Sequence, residues 1–347
     1  MPDLTVEDLA DLCEVTLPNL ERGRWTDIAQ DLQEYTALPE MLRKDRVVFK
    51  SGKDIRFKVQ TKVGSNARHV GLLAEDKTTI SDGMKEAVMP WRHTVNSWGF
   101  DAHEIDIQGN IETQIVDILV EQRAMNYMAL AVLLEEDWWG CPAASDELTP
   151  HGVKYWITKT GMGATGGFNG TVPSGYTTVA GLNPATGHHP KWRNWNQTYT
   201  NVSKEDLVRK MRQAATYCHF KSPVPQRLIK FGDNRGYYTN YTVVRGFEEM
   251  AESQNDNLGN DVASKDGEAT FRRRPVQHVF YLDADTTNPV YGINWGTFRT
   301  VFLTNWYLKD RPPKPKAGAH NTLEGFTDLT HNWVCYNRRD QFVVATS

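Results

Sequence analysis

The sequence predicts an α+β fold, and three stretches carry that prediction. A helical pattern runs from about Asn110 to Trp138. Residues 44–93 alternate charged and apolar positions, as half-buried strands do. Residues 269–308 show the pattern of several short strands joined by turns. With 347 residues, the chain is long enough for one large domain or two intertwined ones.

The overall composition is that of an ordinary soluble globular protein. Hydrophobic residues make up 39% of the chain and charged residues 24%. The formal net charge of -4 argues against a dedicated DNA- or RNA-binding protein, although it leaves room for a local basic surface.

No segment of the chain predicts secretion or membrane insertion. The first residues are acidic where a signal peptide would be basic, and no stretch approaches the ~20 consecutive apolar residues that cross a bilayer. The cysteines lie too far apart for zinc-site spacing, and a chain of this length does not need a disulfide framework. They are Cys13, Cys141, Cys218 and Cys335. We therefore expect the chain to fold in a reducing cytosol.

Residues 1–43 form an acidic leader with one or two short predicted helices, for example over Thr26–Tyr35. Two interpretations stay open. The leader is either an arm that becomes ordered only against a neighbouring molecule or a helical segment packed on its own domain.

Residues 44–93 predict a long, charged, two-stranded ribbon. Ser51–Asp54 bends the first strand, residues 64–84 form a looser run, and residues 86–95 return as the second strand. Two strands cannot bury enough surface to be stable alone. The ribbon is therefore expected to lie on its own domain in a monomer or on an adjacent subunit in an assembly.

The predicted helix from Asn110 to Trp138 has one apolar stripe at spacings of three and four, which indicates a buried face. The stripe consists of Ile111, Ile115, Ile118, Gln122, Met125, Ala129 and Val132. The helix would span roughly 40 Å, and Gly140 and Pro142 end it. The ordinary interpretation is a core helix.

The second half of the chain begins with a loop-rich insertion over residues 141–200. A helix then begins at Ser203 with a capping-box-like start. Its predicted apolar face consists of Leu207, Met211, Ala214 and Ala215. Tyr237–Tyr241 is predicted to be a strand, and a helix follows from Val243 to about Gln254.

The C-terminal part is predicted to be mainly strands. Pro312–Pro315 is expected to be a linker, and Thr327–Tyr336 and Gln341–Ala345 are expected to form a closing strand pair that turns at residues 337–340.

No catalytic, cofactor-binding or metal-binding motif in the sequence has the structural context that its chemistry requires. Gly161–Gly166 matches the dinucleotide-binding pattern GxGxxG, but the glycine-rich residues after it cannot form the helix that this site requires. The adjacent His188 and His189 do not face one metal ion. Residues 254–261 loosely resemble a calcium loop without its terminal glutamate, and Asp283 and Asp285 lie in a turn without an apolar pocket.

Aromatic residues are numerous, and several cluster along the chain. Such residues are enriched in domain cores and in interfaces. They also form platforms that stack nucleic-acid bases or sugars, but such a platform needs a basic groove, and the one concentrated basic run is Arg272–Arg274. The clusters are Trp138–Trp139, Trp192 with Trp195, and Trp295 with Trp306.

Four stretches, together with the order of the predicted elements, resemble the major capsid proteins of tailed bacteriophages, the Hong Kong-97-type fold family. They are Pro90-Trp-Arg-His-Thr94, Glu135-Glu-Asp-Trp-Trp-Gly140, Asn255–Gly267 and Tyr291-Gly-Ile-Asn-Trp295. The resemblance covers nearly the whole chain. It implies a self-assembling shell protein and not an enzyme, with no cofactor and no metal.

The resemblance also implies a domain plan. Residues 1–43 would be the N-terminal arm and 44–93 the extended loop, lying across a neighbour. The peripheral domain with its spine helix would take 94–149, the axial domain 150–319, and the return strands 320–347. Scaffolding would come from a separate protein or be dispensable, because only a short leader precedes the loop.

In such a shell, the extended loop would contact the adjacent subunit through charged residues. Those expected to do so are Lys50, Lys53, Arg56, Lys58, Lys62, Arg68, Glu75, Asp76 and Lys77. Some relatives crosslink a loop lysine covalently, but here solvated charges and salt bridges between subunits are the favoured interpretation.

The expected partners are copies of the chain in pentamers and hexamers, portal and scaffolding or decoration proteins, and double-stranded DNA contacted nonspecifically. No membrane is involved. The chain would be assembled in the host cytoplasm and reside in the virion. The alternatives are the shell protein of a bacterial nanocompartment of the encapsulin type, which shares the fold, and a carbohydrate- or ligand-binding protein built around residues 141–200.

Overall fold

The computed structural model describes residues 35–62, 66–70, 82–101, 112–219, 234–255 and 269–346. The described helices are α1 (Leu38–Met41), α2 (Glu112–Trp139), α3 (Val153–Trp156), α4 (Arg209–Tyr217) and α5 (Tyr241–Asn255). The described strands are β1 (Val47–Lys50), β2 (Ile55–Gln60), β3 (Met84–Met89), β4 (Arg92–Asp101), β5 (Gly167–Gly170), β6 (Asn194–Tyr199), β7 (Arg235–Thr239), β8 (Thr270–Phe271), β9 (Arg274–His278), β10 (Val290–Asn294), β11 (Phe298–Leu303), β12 (Lys309–Lys316), β13 (Ala319–Cys335) and β14 (Phe342–Thr346). Among these helices, none is long and apolar enough to cross a membrane.

The chain divides into two compact units. Among the described residues, the small unit contains those of His93–Glu135 and Thr304–Thr330. The large unit contains those of Thr36–Arg92, Glu136–Leu303 and His331–Ser347. The predicted long helix is confirmed as α2, a helix of 28 residues, and both α2 and β13 contribute residues to each unit.

In the small unit, β4 and β12 both pair with β13. Strand β12 runs antiparallel to β13, with an irregularity between Arg311 and Lys314. The prediction of a linker at Pro312–Pro315 is wrong, because these residues lie inside β12. Strand β12 is at the edge of the sheet, where no further strand needs the N–H donors that proline lacks.

A seven-stranded mixed sheet, in the order β5-β6-β14-β10-β7-β9-β8, forms the framework of the large unit. Strand β14 is parallel to β6 and antiparallel to β10. All five residues of β10 are buried, and Phe342–Ala345 of β14 are buried as well. These strands therefore lie at the centre of the core.

Helix α4 and the turn before it pack on this sheet, and the predicted apolar face of the helix is confirmed. Leu207, Met211, Ala214 and Ala215 share one buried cluster with Trp195, Tyr199, Phe342 and Val344. The capping-box-like start is confirmed too, because the Ser203 Oγ accepts a hydrogen bond from the Asp206 N–H at 3.1 Å. The first turn, Lys204–Val208, is π-helical.

The expected closing strand pair is wrong in its pairing, although both strands exist. The final residues of β13 pair with β11, and β14 lies between β6 and β10 in the other sheet. Arg338 lies in the turn between them and is fully buried. Its guanidinium donates hydrogen bonds to the carbonyl oxygens of Trp156 and Trp192, both at 2.8 Å. These contacts direct the chain away from a hairpin.

Aromatic side chains fill a second core in the large unit. The ring of Trp138 stacks on Trp295, with centroids 5.2 Å apart and an interplanar angle of 20°. Phe298 and Trp333 meet Trp138 edge-on. Gly152 packs against the end of α2, where a Cβ atom would lie 2.3 Å from the Asp137 carbonyl oxygen. Only glycine allows this approach of the following loop to the helix.

Candidate assembly surfaces

The base of the ribbon, β2 and β3, is anchored on its own large unit. The strands pair antiparallel from Ile55 opposite Met89 to Gln60 opposite Met84. Phe57 on the inner face is only 6% exposed, and its ring lies 5.1 Å from that of Tyr336. The Val88 N–H donates to the Ala180 carbonyl oxygen at 3.0 Å. The sequence alone did not decide whether the ribbon lies on its own domain or on an adjacent subunit. The structure shows that its base packs on its own chain.

The outer face of the ribbon base is charged. Because side chains alternate along a strand, Arg56 and Lys58 point away from the buried positions of β2. Arg56 lies 3.4 Å from Glu86 of the paired strand and 3.7 Å from Asp54. Lys58 is directly opposite Glu86 in the register. Exposed pairs of this kind each contribute only ~0–1 kcal/mol, so this face remains available to a partner.

The other predicted contact residues of the ribbon are distributed around this base. Lys53, Lys62 and Arg68 are exposed, and Lys50 is half-buried. The Lys50 Nζ donates to the Arg56 carbonyl oxygen at 3.2 Å. Glu75, Asp76 and Lys77 lie outside the described residues. The structure thus places the Lys50 ammonium group beside the Arg56 backbone, and Arg56 and Lys58 on the same face of β2.

Helix α2 exposes an apolar stripe in the small unit. Met125, Met128 and Leu133 are 47%, 37% and 40% exposed, and Ala129 between them is exposed as well. These positions follow the three- and four-residue spacing that places side chains on one side of a helix. Because contiguous exposed apolar surface is typical of interaction sites, this stripe is a candidate interaction surface.

The predicted buried face of this helix is therefore wrong where the structure tests it. Met125 and Ala129 are exposed and Val132 is half-buried, while the side chains of Ile111, Ile115 and Ile118 lie outside the description. Among the described positions up to Leu134, the buried ones are Asn126, Leu130 and Leu134, and Glu135, Trp138 and Trp139 are buried at the end of the helix. The helix is apolar on more than one side, so periodicity could not tell which side its own chain covers.

Polar contacts hold the opposite side of α2 on the sheet of the small unit. The buried Asn126 donates to the Thr327 Oγ1 at 3.1 Å, and its carbonyl oxygen accepts from Asn96 at 2.6 Å. Asp310 of β12 forms an ion pair with Arg123 and accepts from the Tyr127 hydroxyl at 2.9 Å. Burial opposes ionisation of Asp310, but these hydrogen bonds keep its pKa below the usual range.

The motifs rejected in the sequence have structural explanations. Gly161–Gly166 is followed by strand β5, not by a helix. Asp283 accepts a hydrogen bond from the first N–H of α5, that of Tyr241, at 2.8 Å, and Asp285 forms a 2.5 Å ion pair with Lys159. Within the described ranges, no group of three or more His, Cys, Asp or Glu residues could hold a metal ion. The calcium-like loop lies mostly outside these ranges.

Five of the six clustered tryptophans lie in the core, and Trp306, which was grouped with Trp295 in the sequence, is half-buried. Trp138, Trp139, Trp192, Trp195 and Trp295 are each at most 4% exposed. The described cysteines, Cys141, Cys218 and Cys335, are free, while Cys13 lies outside the description.

Several titratable groups have strongly shifted pKa values because they are buried in the large unit. Burial lowers the pKa of His331 to about 3 and that of His151 to about 4, and it lowers the pKa of Arg338 to about 10. The rings of Phe302 and Trp333 contact His331, and neither of its nitrogens has a hydrogen-bond partner in the described structure. Such enclosed groups cannot reach a substrate.

No protein-family profile and no curated protein matches the sequence. Solved structures do match. The chain is similar to a chain of the cyanophage A-1(L) capsid asymmetric unit, with a TM-score of 0.59 and 15% identity over 95% of this chain and 98% of that one.

Two further matches are similar in extent. The capsid of a native GTA particle gives a TM-score of 0.56 at 11% identity, covering 95% of this chain and 96% of that one. The holo-SrpI encapsulin complex of Synechococcus elongatus gives 0.51 at 9% identity, covering 93% and 91%. The resemblance seen in the sequence is thus confirmed at the level of fold: the chain has the mixed helix-and-strand fold found in phage capsids.

Proposed function

We propose that the chain is the major capsid protein of a tailed bacteriophage, which self-assembles into the icosahedral shell around the double-stranded DNA genome. The observation that carries the proposal is the exposed apolar stripe of α2, Met125, Met128 and Leu133, in a chain whose fold is found in capsids over 95% of its length. A shell protein must keep apolar surface for its neighbours after its own core is formed.

The proposal assigns Hong Kong-97-type roles to the elements. Helix α2 is the spine helix of a peripheral domain over residues 94–149, which the return segment 320–347 completes through β13, while its last strand, β14, lies in the seven-stranded sheet. Residues 150–319 form the axial domain, whose loops meet at the centres of pentamers and hexamers. Residues 1–43 form the N-terminal arm. The free charged face at the base of the 44–93 ribbon, with Arg56, Lys58 and Glu86, supports its role as the extended loop.

In this role, the ribbon reaches the adjacent subunit with its charged residues. Arg56, Lys58 and Lys62 would form salt bridges between subunits, and so would Glu75, Asp76 and Lys77 farther along the loop. Each bridge is weak alone, but a closed shell repeats every bridge in each copy. The contact would therefore be strong in sum and sensitive to salt.

The chain acts as a structural protein of the virion, assembled in the host cytoplasm. Its other partners are portal and scaffolding or decoration proteins, and DNA contacted without sequence specificity. The buried positions of the strongly shifted histidines support a non-enzymatic role, because catalysis needs titratable groups within reach of a substrate.

A second candidate is the shell protein of a bacterial nanocompartment, which is favoured by the similarity to the Synechococcus elongatus encapsulin. Both candidates assemble into closed shells. They differ in content, because a phage shell takes up DNA through a portal and a nanocompartment encloses a protein cargo.

Negative-stain microscopy of the purified full-length chain, and of particles from its source lysate, tests the proposal. We expect uniform closed shells, and nuclease-resistant double-stranded DNA inside the lysate particles. Shells that hold protein cargo and no DNA would support the nanocompartment. A monomer that never assembles, even with partner proteins from the same lysate, would overturn both.

A further inference from the structure

The hairpin between β8 and β9 has an unusual turn. Phe271 pairs with Arg274 across it, so Arg272 and Arg273 form a two-residue loop. Both have left-handed backbones, with φ of 49° and 64°. Turns of this geometry favour Asn-Gly, because the Cβ atom clashes with the following carbonyl oxygen at positive φ, which glycine avoids and asparagine tolerates best. Arginine at both positions is therefore a local conflict that points to a use for the side chains.

The turn is fixed against the end of α4. The Arg272 guanidinium donates to the Thr216 Oγ1 at 2.7 Å and to the Arg212 carbonyl oxygen at 3.2 Å. The Arg274 guanidinium donates to the Asn234 Oδ1 at 2.8 Å. Residues 56 positions apart in the chain are thus held together. These contacts fix the guanidinium groups of Arg272 and Arg274, while Arg273 lies in the same two-residue turn and Arg212 on α4.

These cations are exposed and mostly uncompensated. The side chains of Arg212, Arg272, Arg273 and Arg274 all belong to exposed residues. Among the described residues, no carboxylate forms an ion pair with Arg212, Arg272 or Arg273. In a chain of net charge -4, this is a local concentration of positive charge, which attracts a polyanion.

The residue after Thr216 in α4 carries an exposed aromatic ring. Tyr217 follows Thr216, the partner of Arg272, and is 61% exposed. One face of its ring stacks on the buried Trp195, with centroids 5.0 Å apart and an interplanar angle of 11°. The ring is therefore held in a fixed orientation while much of it remains open to solvent. A ring held in this way can stack a planar ligand group.

We propose that Arg212, Arg272, Arg273, Arg274 and Tyr217, here called the arginine patch, bind the phosphodiester backbone of nucleic acid. The arginines contact phosphates, and Tyr217 stacks an unpaired base where one is present. An acidic peptide would satisfy the arginines but would leave the exposed ring without a partner, so nucleic acid is the better fit. The inference deepens the proposed function and rests on it only in naming a genome as the source of the ligand.

The test measures binding of two fluorescent oligonucleotides of mixed sequence, one single-stranded and one duplex, to the full chain across a salt series. The main variant is Arg272→Asn with Arg273→Gly, which removes two charges and installs the residues that the turn prefers. We expect its melting temperature to stay the same or rise. The slope of log affinity against log salt for the duplex should fall by about 1.8, because each lost phosphate contact accounts for about 0.9.

Tyr217→Ala tests the ring. We expect single-strand affinity to fall about 5-fold or more, with a smaller change for the duplex, and Tyr217→Phe should restore binding because the ring is retained. The matched control is Lys191→Ala with Lys314→Ala, which removes two exposed lysines that form no ion pair in the described structure. This control should leave the salt slope unchanged.

Three results would overturn the inference: an unchanged slope in the Asn-Gly variant, an equal loss in the lysine control, or binding of polyglutamate in place of both oligonucleotides. Shell formation by each variant is scored in parallel by negative-stain microscopy. Shells that form normally while DNA binding is unaffected by the Asn-Gly change would refute the patch and leave the proposed function intact. A chain that binds DNA through the arginine patch and never forms shells would support the patch and refute the proposed function.

Discussion

The ribbon base and helix α2 differ in which of their faces their own chain covers. The ribbon buries its apolar face, with Phe57 at 6% exposure, and presents charges outward. Helix α2 in the small unit is held on its own sheet partly by polar contacts, through Asn126 and Arg123, and it presents Met125 and Leu133 outward. A candidate surface for neighbouring subunits is therefore identified by apolar side chains that stay exposed in the folded chain. A two-stranded segment that could not be stable alone does not by itself identify one.

The largest expected effect comes from charging the uncovered helix face. Leu133→Asp should abolish closed shells, because it replaces an apolar contact of roughly 1 kcal/mol per interface with a buried carboxylate that has no partner, and every copy would carry the lesion. The unassembled chain should stay folded, since Leu133 is 40% exposed. Negative-stain microscopy and thermal melting measure the two effects separately.

The matched control is Leu130→Asp, three residues away on the covered side at 4% exposure. It should prevent folding, because it buries a charge without a partner. Normal shells from Leu133→Asp, or an equal loss of folding in both variants, would contradict the claim that one face of α2 serves folding and the other serves assembly.

The second effect concerns the anchored side of the ribbon. Phe57→Ala should lower the free energy of unfolding of the chain by about 3–5 kcal/mol, the usual cost of removing a buried phenylalanine. Urea unfolding of the unassembled protein measures it. A loss below about 1 kcal/mol would mean that the ribbon base is not held by its own domain in solution.

The large unit that anchors the ribbon should also be the acid-sensitive part of the chain. Burial lowers the pKa of His331 to about 3. Between about pH 6.5 and pH 3 the unfolded chain therefore binds a proton that the folded chain does not. Stability is complete above pH 6.5 and falls as the pH drops through this range.

Two other titratable residues contribute to the pH dependence of stability. His151, with its pKa lowered by burial to about 4, acts in the same direction. Asp137, with its pKa raised by burial to about 6, acts in the opposite direction below that pH. Melting temperatures at pH 7 and pH 4.5 should therefore differ less in His331→Phe than in the unchanged chain. Identical differences in the two proteins would show that His331 is not buried as a neutral group.

The smallest expected effect concerns the outer charges of the ribbon. Lys58→Glu should lower the free energy of unfolding by about 1 kcal/mol or less, because Lys58 is exposed and the new carboxylate lies opposite Glu86 across the ribbon. It should slow shell assembly at low salt, with the difference shrinking as salt screens the charges. Light scattering follows assembly, and Lys191→Glu, another exposed lysine, serves as the control. Equal slowing by both variants would remove the special role of the ribbon.

The sequence predicts individual helices and strands more reliably than it predicts which strands pair with one another. The 28-residue helix, the cap at Ser203 and the apolar face of α4 follow from spacing and side-chain chemistry, which are local properties. The strand at Pro312–Pro315 was missed, because proline breaks an interior strand and its tolerance here depends on the edge position of β12. The separation of β13 from β14 depends on Arg338, whose burial no local pattern reveals.

The candidate surfaces follow the same rule. The alternation in the ribbon correctly placed Arg56 and Lys58 on its outer face, but not the burial of the opposite face on its own domain. The arginine patch joins Tyr217 to Arg272 through a contact between residues far apart in the chain. The run of arginines and the aromatic residues are both visible in the sequence. Only the fold shows that Arg272 contacts Thr216, the residue before Tyr217.

Methionine footprinting tests the central claim most directly, because it reports on both regions at once. Met125 and Met128 lie on the exposed stripe of α2, while Met89 and Met211 are at most 1% exposed and serve as internal controls. Brief peroxide treatment, read by mass spectrometry, should oxidise Met125 and Met128 in the unassembled chain and spare the controls. In assembled shells, oxidation of Met125 and Met128 should fall to the level of the controls. Equal oxidation of these two residues before and after assembly would contradict the account.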